Sequence, residues 1–151
     1  MLETGKTAPD FSLPDQDGEI HNLTNYRGQV VLIYFYPMDD TPGCTKEACT
    51  IAEMYDDFEK NGVKVFGISA DDVASHKRFA LKYHLPFTLL SDPERQTIKD
   101  YEANEEGEGT EHSTHTKRIS YLVSPNGVII RSYPDVDPAT HAGEILKDIG
   151  G

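Results

Sequence analysis

The chain has 151 residues, of which 37% are hydrophobic and two are cysteine, and it carries a formal charge of -12. That length suits a single domain over residues 1–151 that buries one core without help from disulfides. The acidic balance excludes the clustered Lys and Arg that nucleic acid or an anionic membrane surface would need, and no apolar run approaches the roughly 18 residues of a membrane span.

The first 14 residues lack the basic start and apolar stretch of a signal peptide, so a cytoplasmic location is the expectation. Asp17-Gly18 separates the apolar segments 11–13 and 20–23, which predicts an N-terminal β-hairpin. Residues 30–36, Val-Val-Leu-Ile-Tyr-Phe-Tyr, form an unbroken apolar run of strand length, as expected of a central strand covered on both faces. Pro37 ends it. From Cys44 onward Ala48, Ile51, Ala52, Tyr55 and Phe58 recur at helical spacing until Asn61-Gly62.

Residues 63–69 are a second buried strand, and Asp71 or Asp72 caps a helix whose apolar face holds Val73, Phe79, Ala80 and Tyr83. A short strand at 87–90 and a helix near 96–101 come next, then an acidic loop at 102–111. Segments 118–123 and 128–133 flank Ser124-Pro125-Asn126-Gly127, a strong hairpin signal, and 138–149 closes the chain as a helix. Strands alternating with helices predict a three-layer α/β fold with a central, partly parallel sheet and helices on both faces. The ββα ending after a βαβ unit is the order of a thioredoxin-like fold.

The chemistry concentrates in Pro37-Met38-Asp39-Asp40-Thr41-Pro42-Gly43-Cys44-Thr45-Lys46-Glu47-Ala48-Cys49, at the carboxyl end of the apolar strand, where open α/β sheets place their sites. Thr41 suits the N-cap and Pro42 the first helical position, which makes Cys44 the third helical residue. There the sulfur meets free N–H groups and the positive end of the helix dipole, an environment that favours the nucleophilic thiolate. Asp39 and Asp40 would oppose a thiolate, so charge alone predicts that both point to solvent. Cys49 lies five residues on, at a Cα separation of roughly 8–9 Å in a straight helix, beyond the limit of about 7 Å for a disulfide. Pairing the two cysteines therefore requires the first turns to unwind; otherwise Cys49 is simply a core residue.

Pro37-x-x-x-Thr41-x-x-Cys44 resembles the peroxiredoxin active-site motif PxxxTxxC, and the continuation through Cys49 is similar to the Q subfamily, the bacterioferritin comigratory proteins. The likeness runs from Ala8-Pro9-Asp10-Phe11 to the Arg118-Ile119-Ser120 strand. It implies a thiol peroxidase that reduces hydrogen peroxide and organic hydroperoxides. Cys44 would be the peroxidatic cysteine, oxidised to sulfenic acid, with Thr41 bonding sulfur and peroxide and Pro37 shielding the pocket. Cys49 would resolve the sulfenic acid as an intramolecular disulfide, which thioredoxin or a similar dithiol would reduce. Arg118 would hold the thiolate, in preference to Arg27, Arg78, Arg95 and Arg131. No cofactor or metal is implied, and the Q-type likeness favours a monomer. The stretch 102–117 departs from the family in being strongly acidic, which leaves reductase docking and hydroperoxide preference open.

His112 and His115 stand three apart without a third ligand of matching kind and are taken as a solvated pair. The absence of Cys-x-x-Cys weakens a thioredoxin-type reductase. Two rivals remain on the same fold: a general thiol–disulfide oxidoreductase, and a redox-sensing protein whose cysteines only report oxidation.

Overall fold

The computed structural model describes residues 1–106 and 114–150. His112 lies outside the described residues, and His115 is exposed. No helix among the described residues is long and apolar enough to cross a membrane.

The hairpin forms as β1 (Ser12–Pro14) and β2 (Ile20–Asn22), paired antiparallel. Five strands build the main sheet: β3 (Val30–Phe35), β4 (Val63–Ser69), β5 (Thr88–Ser91), β8 (Ile119–Val123) and β9 (Ile129–Tyr133). Their order is β5-β4-β3-β8-β9. β3 pairs parallel with β4 and antiparallel with β8, so the sheet is mixed and its longest apolar run is central.

Alternation along β3 divides the core, because successive side chains leave a strand on opposite faces. Leu32, Tyr34 and Tyr36 face one cluster, packed by α1 (Pro42–Glu53), α2 (Tyr55–Lys60), α3 (Val73–Tyr83) and α5 (His141–Gly150). Val31, Ile33 and Phe35 face the other, covered by the hairpin and by α4 (Gln96–Asp100) through Ile98. Helices thus lie on both faces, unequally. This is the thioredoxin-like, three-layer α/β arrangement that the order of elements implies.

Two local expectations change and one choice is decided. The single helix expected from Cys44 to Asn61 is two, parted at Met54 (φ -103°, ψ 9°). Hydrogen bonds run through the joint, Met54 N to Thr50 O at 3.3 Å and Phe58 N to Met54 O at 3.2 Å, so the apolar periodicity carries no mark of it. The flanks of the acidic loop pair as short antiparallel strands, β6 (Asn104–Glu106) and β7 (Thr114–Thr116). Of the two candidate caps, Asp72 starts α3, accepting from Ser75 N at 2.8 Å.

Phe66 anchors the hairpin face, fully buried with its ring edge-on to Phe11 and Tyr26 at centroid distances of 5.8 and 5.1 Å. Phe66→Ala is expected to lower stability by about 3–5 kcal/mol, read as a shifted urea midpoint. It should leave the rate at which a thiol reagent modifies Cys44 unchanged while the protein stays folded, because Cys44 packs on the opposite face of the sheet.

Candidate active site

α1 begins where the sequence places it. Thr41 is the N-cap residue, Pro42 the first helical residue and Cys44 the third. Thr45 N donates to Thr41 O at 2.8 Å, the first bond of the helix. The Thr41 hydroxyl makes no capping bond; it donates to Met38 O at 2.9 Å. Cys44 is 2% exposed, among Tyr34, Tyr36 and Ala48 on the helix-covered face.

Arg118 comes from the residue before β8. Because Phe35 pairs with Ile119, Arg118 emerges beside the carboxyl end of β3, and its Nη2 donates to Cys44 Sγ at 3.3 Å. Its Nη1 donates to Glu47 Oε1 at 2.9 Å. Burial pulls the Arg118 guanidinium down, but its bonds to Cys44 and Glu47 outweigh that and raise it above its ordinary value. A charged donor so placed stabilises negative charge on sulfur and on an oxygen bound beside it. Gly43 makes the approach possible, since a Cβ there would stand 2.9 Å from Arg118 Nη2.

Glu47 is the group that the sequence reading missed, although its place three residues after Cys44, on the same helix face, was a signal. It is 1% exposed, and its second oxygen has no partner among the described residues. Burial pushes its carboxyl up to about 7, against the opposing pull of Arg118. The Tyr34 hydroxyl is likewise buried and unpartnered.

Of the two aspartates before Cys44, Asp39 corrects the charge argument and Asp40 follows it. Asp39 is buried, accepting from Tyr36 Oη at 2.6 Å, Ser75 Oγ at 2.8 Å and His76 Nδ1 at 2.7 Å. Asp40 is exposed yet pinned, accepting from Lys82 Nζ and Tyr83 Oη, each at 2.7 Å. Both bond to α3, Asp39 in place of solvent and Asp40 at the surface.

Cys49 lies further along the same continuous helix, half-buried and unbonded to Cys44. Burial and the nearby Glu53 raise its thiol above the ordinary range. Pro37 and Thr41 line a groove with Met38, Ala70, Arg95 and His115. Arg95, passed over in the sequence reading, is thus at the groove rather than at the sulfur, tied by Asn104 and Thr116 at 3.0 and 2.9 Å. A separate apolar cavity lined by Leu13, Pro14, Val73, Ala74 and Pro93 holds none of these groups.

The chain as a whole is similar to known proteins. The family model described as "AhpC/TSA family" matches residues 4–132. The chain is 40% identical over 149 residues to the putative peroxiredoxin bcp of Coxiella burnetii, covering 96% of this chain and 97% of the relative. This protein belongs to the AhpC/TSA family, in its peroxiredoxin Q branch. Against the chloroplastic peroxiredoxin Q of Oryza sativa subsp. japonica the identity is 45% over 147 residues, covering 97% of this chain and 66% of that protein. The chain therefore spans just under two thirds of the length of that relative. The bacterioferritin comigratory protein of Xanthomonas campestris superposes with a TM-score of 0.89 at 30% identity, over 99% of this chain and 96% of that one.

Two expectations follow for this peroxiredoxin. Glu47 holds a proton in the folded chain up to about pH 7 but loses it near 4.5 when unfolded. The folded state then binds the extra proton between those values, so stability falls as pH rises through that window, on the order of 3 kcal/mol in all. Glu47→Gln should remove that component, and urea melts of parent and variant across the window measure the difference. Gly43→Ala should displace Arg118 and slow the reaction with peroxide on the order of tenfold. Its melting free energy should stay within about 1 kcal/mol of the parent, which stopped-flow and thermal melts together check.

Proposed function

We propose that this peroxiredoxin is a thiol-dependent peroxidase that cycles Cys44 between thiolate, sulfenic acid and a disulfide with Cys49. The observation that carries this reading is the Arg118 Nη2 donating to Cys44 Sγ at 3.3 Å in the first turn of α1. The thiolate attacks one oxygen of ROOH; an S–O bond forms, the O–O bond breaks, and its electron pair leaves with RO⁻, which takes a proton to become ROH. Arg118 offsets the charge as it moves from sulfur to the leaving oxygen. Thr41, whose hydroxyl donates its hydrogen bond to Met38 O, keeps lone pairs to accept from the peroxide O–H and orient it, while Pro37 shields the groove.

The Cys44 sulfenic acid then condenses with the Cys49 thiol, giving the disulfide and one water. A dithiol such as thioredoxin donates two electrons and two protons to restore both thiols. The raised Cys49 thiol fits a group that keeps its proton until the sulfenic acid arrives. Hydrogen peroxide and organic hydroperoxides are the substrates of this reading, and the working form is a monomer. The Xanthomonas campestris bacterioferritin comigratory protein has alkyl peroxide reduction activity, which supports the substrate class here.

Cys44→Ser should reduce peroxide consumption with dithiothreitol to the background of free thiol; a variant that still turns over refutes the assignment. Cys49→Ser should take up one equivalent of peroxide, gain the mass of one oxygen, and recycle poorly with thioredoxin. The parent should instead lose the mass of two hydrogens. Full recycling of Cys49→Ser would end the resolving role.

A further inference from the structure

The chain between β3 and α1 is fastened to α3 more heavily than a connecting loop requires. Asp39, 8% exposed, takes three side-chain hydrogen bonds, and its backbone N–H donates to Asp71 Oδ2 at 2.9 Å. Asp71 is held in turn by Ser69 Oγ at 2.6 Å. His76 is fully buried, and both its ring nitrogens face oxygens, Nδ1 toward Asp39 Oδ2 at 2.7 Å and Nε2 toward Leu90 O at 3.0 Å. Neither a carboxylate nor a carbonyl oxygen can donate, so both contacts are hydrogen bonds only when the ring carries two protons. Asp40 adds a second grip, its backbone in the left-handed region (φ 59°) and its carboxylate on Lys82 and Tyr83.

We propose that Asp39 and His76 are positioning residues: their buried ion pair holds the segment leading to Cys44 in its peroxide-ready place and must open before Cys44 reaches Cys49. This rests on the disulfide cycle proposed above. Both cysteines lie in one unbroken helix, at the separation of roughly 8–9 Å set by helical rise and radius, so the first turn has to unwind before the sulfenic acid and thiol can release water and bond. Residues 39 and 40 enter that turn and are tied to α3, which itself stays anchored in the core by Phe79 and Ala80. A buried ion pair adds little net stability over apolar replacements, so folding alone does not account for it. What it does is bias one arrangement of the loop over another, and loosening it shifts the population toward the unwound form that resolves.

The experiment has two arms. In the unaltered protein, proton NMR should show two slowly exchanging ring N–H signals from His76 in the reduced state, and both should be lost or become fast-exchanging once the Cys44–Cys49 disulfide forms. In Asp39→Asn, the disulfide should form from the sulfenic acid about tenfold faster, as about 1.4 kcal/mol of loosening gives, while the peroxide step gains nothing. A variant that is merely less stable would not accelerate one step alone. Protein that forms the disulfide with both His76 ring protons still protected overturns the positioning role and leaves the peroxidase cycle standing. An Asp39→Asn protein that resolves no faster does the same. Unaltered protein that consumes peroxide with no disulfide in its intact mass removes both proposals, and the mass distinguishes that case.

Discussion

The register between β3 and β8 is the constraint on which the site depends. Arg118 and Cys44 are 74 residues apart in sequence and meet only because Phe35 pairs with Ile119, Tyr34 with Ser120 and Leu32 with Leu122. Side chains alternate along a strand, so a slip of one residue would move the guanidinium to the opposite face of the sheet. The slip is prevented by packing on both sides. Ile119, Tyr121 and Val123 fill the hairpin face while Leu122 fills the helix face, and a shifted register would bury Ser120 and Arg118 where the first group belongs.

Three ionisable groups then share a nearly dry corner: the Cys44 sulfur, Arg118 and Glu47. A lone buried charge is costly, and the arrangement balances one guanidinium against two potential anions. With Glu47 near 7, its neutral and ionised forms coexist at physiological pH. When Glu47 is protonated, the guanidinium has the sulfur as its main anionic partner; when it is ionised, the two compete. Glu47 also fixes the direction of the guanidinium, because one nitrogen on Oε1 turns the other toward the sulfur. Orientation and competition come from the same side chain.

Much of this was legible in the sequence because much of it is local. The strand at 30–35, the Asn126-Gly127 hairpin, the Thr41-Pro42 helix start and the placement of Cys44 each follow from a few adjacent residues. Arg118 was reached through the family likeness, since nothing near it in the chain says what it will touch. Asp39 was misread because the charge argument set it only against the sulfur and left out the donors that α3 brings from more than 30 residues away, whereas Asp40 is exposed as that argument expects. His76 had left a faint trace: Val73, His76, Phe79, Ala80 and Tyr83 share one helical stripe, and a histidine on an apolar stripe needs buried partners. The break at Met54 left none, as neither hydrogen bonding nor periodicity is interrupted there.

The weakness of the first turn of α1 explains why so many outside contacts converge on it. Pro42 brings no N–H and Gly43 is a poor helix former, and the Thr41 hydroxyl is turned to Met38 rather than to the free N–H groups of the helix. A helix start built this way has little stability of its own, since a turn fixed by few internal bonds is the costly part of any helix. Its order is supplied from elsewhere: by Arg118 on the sulfur and by α3 holding Asp39 and Asp40. The first turn is thus ordered by contacts that can be released one at a time, whereas a well-capped helix would resist unwinding through its own backbone. On the proposed disulfide cycle, a cysteine that is both fixed for attack and free to travel gains from order placed outside its own helical turn.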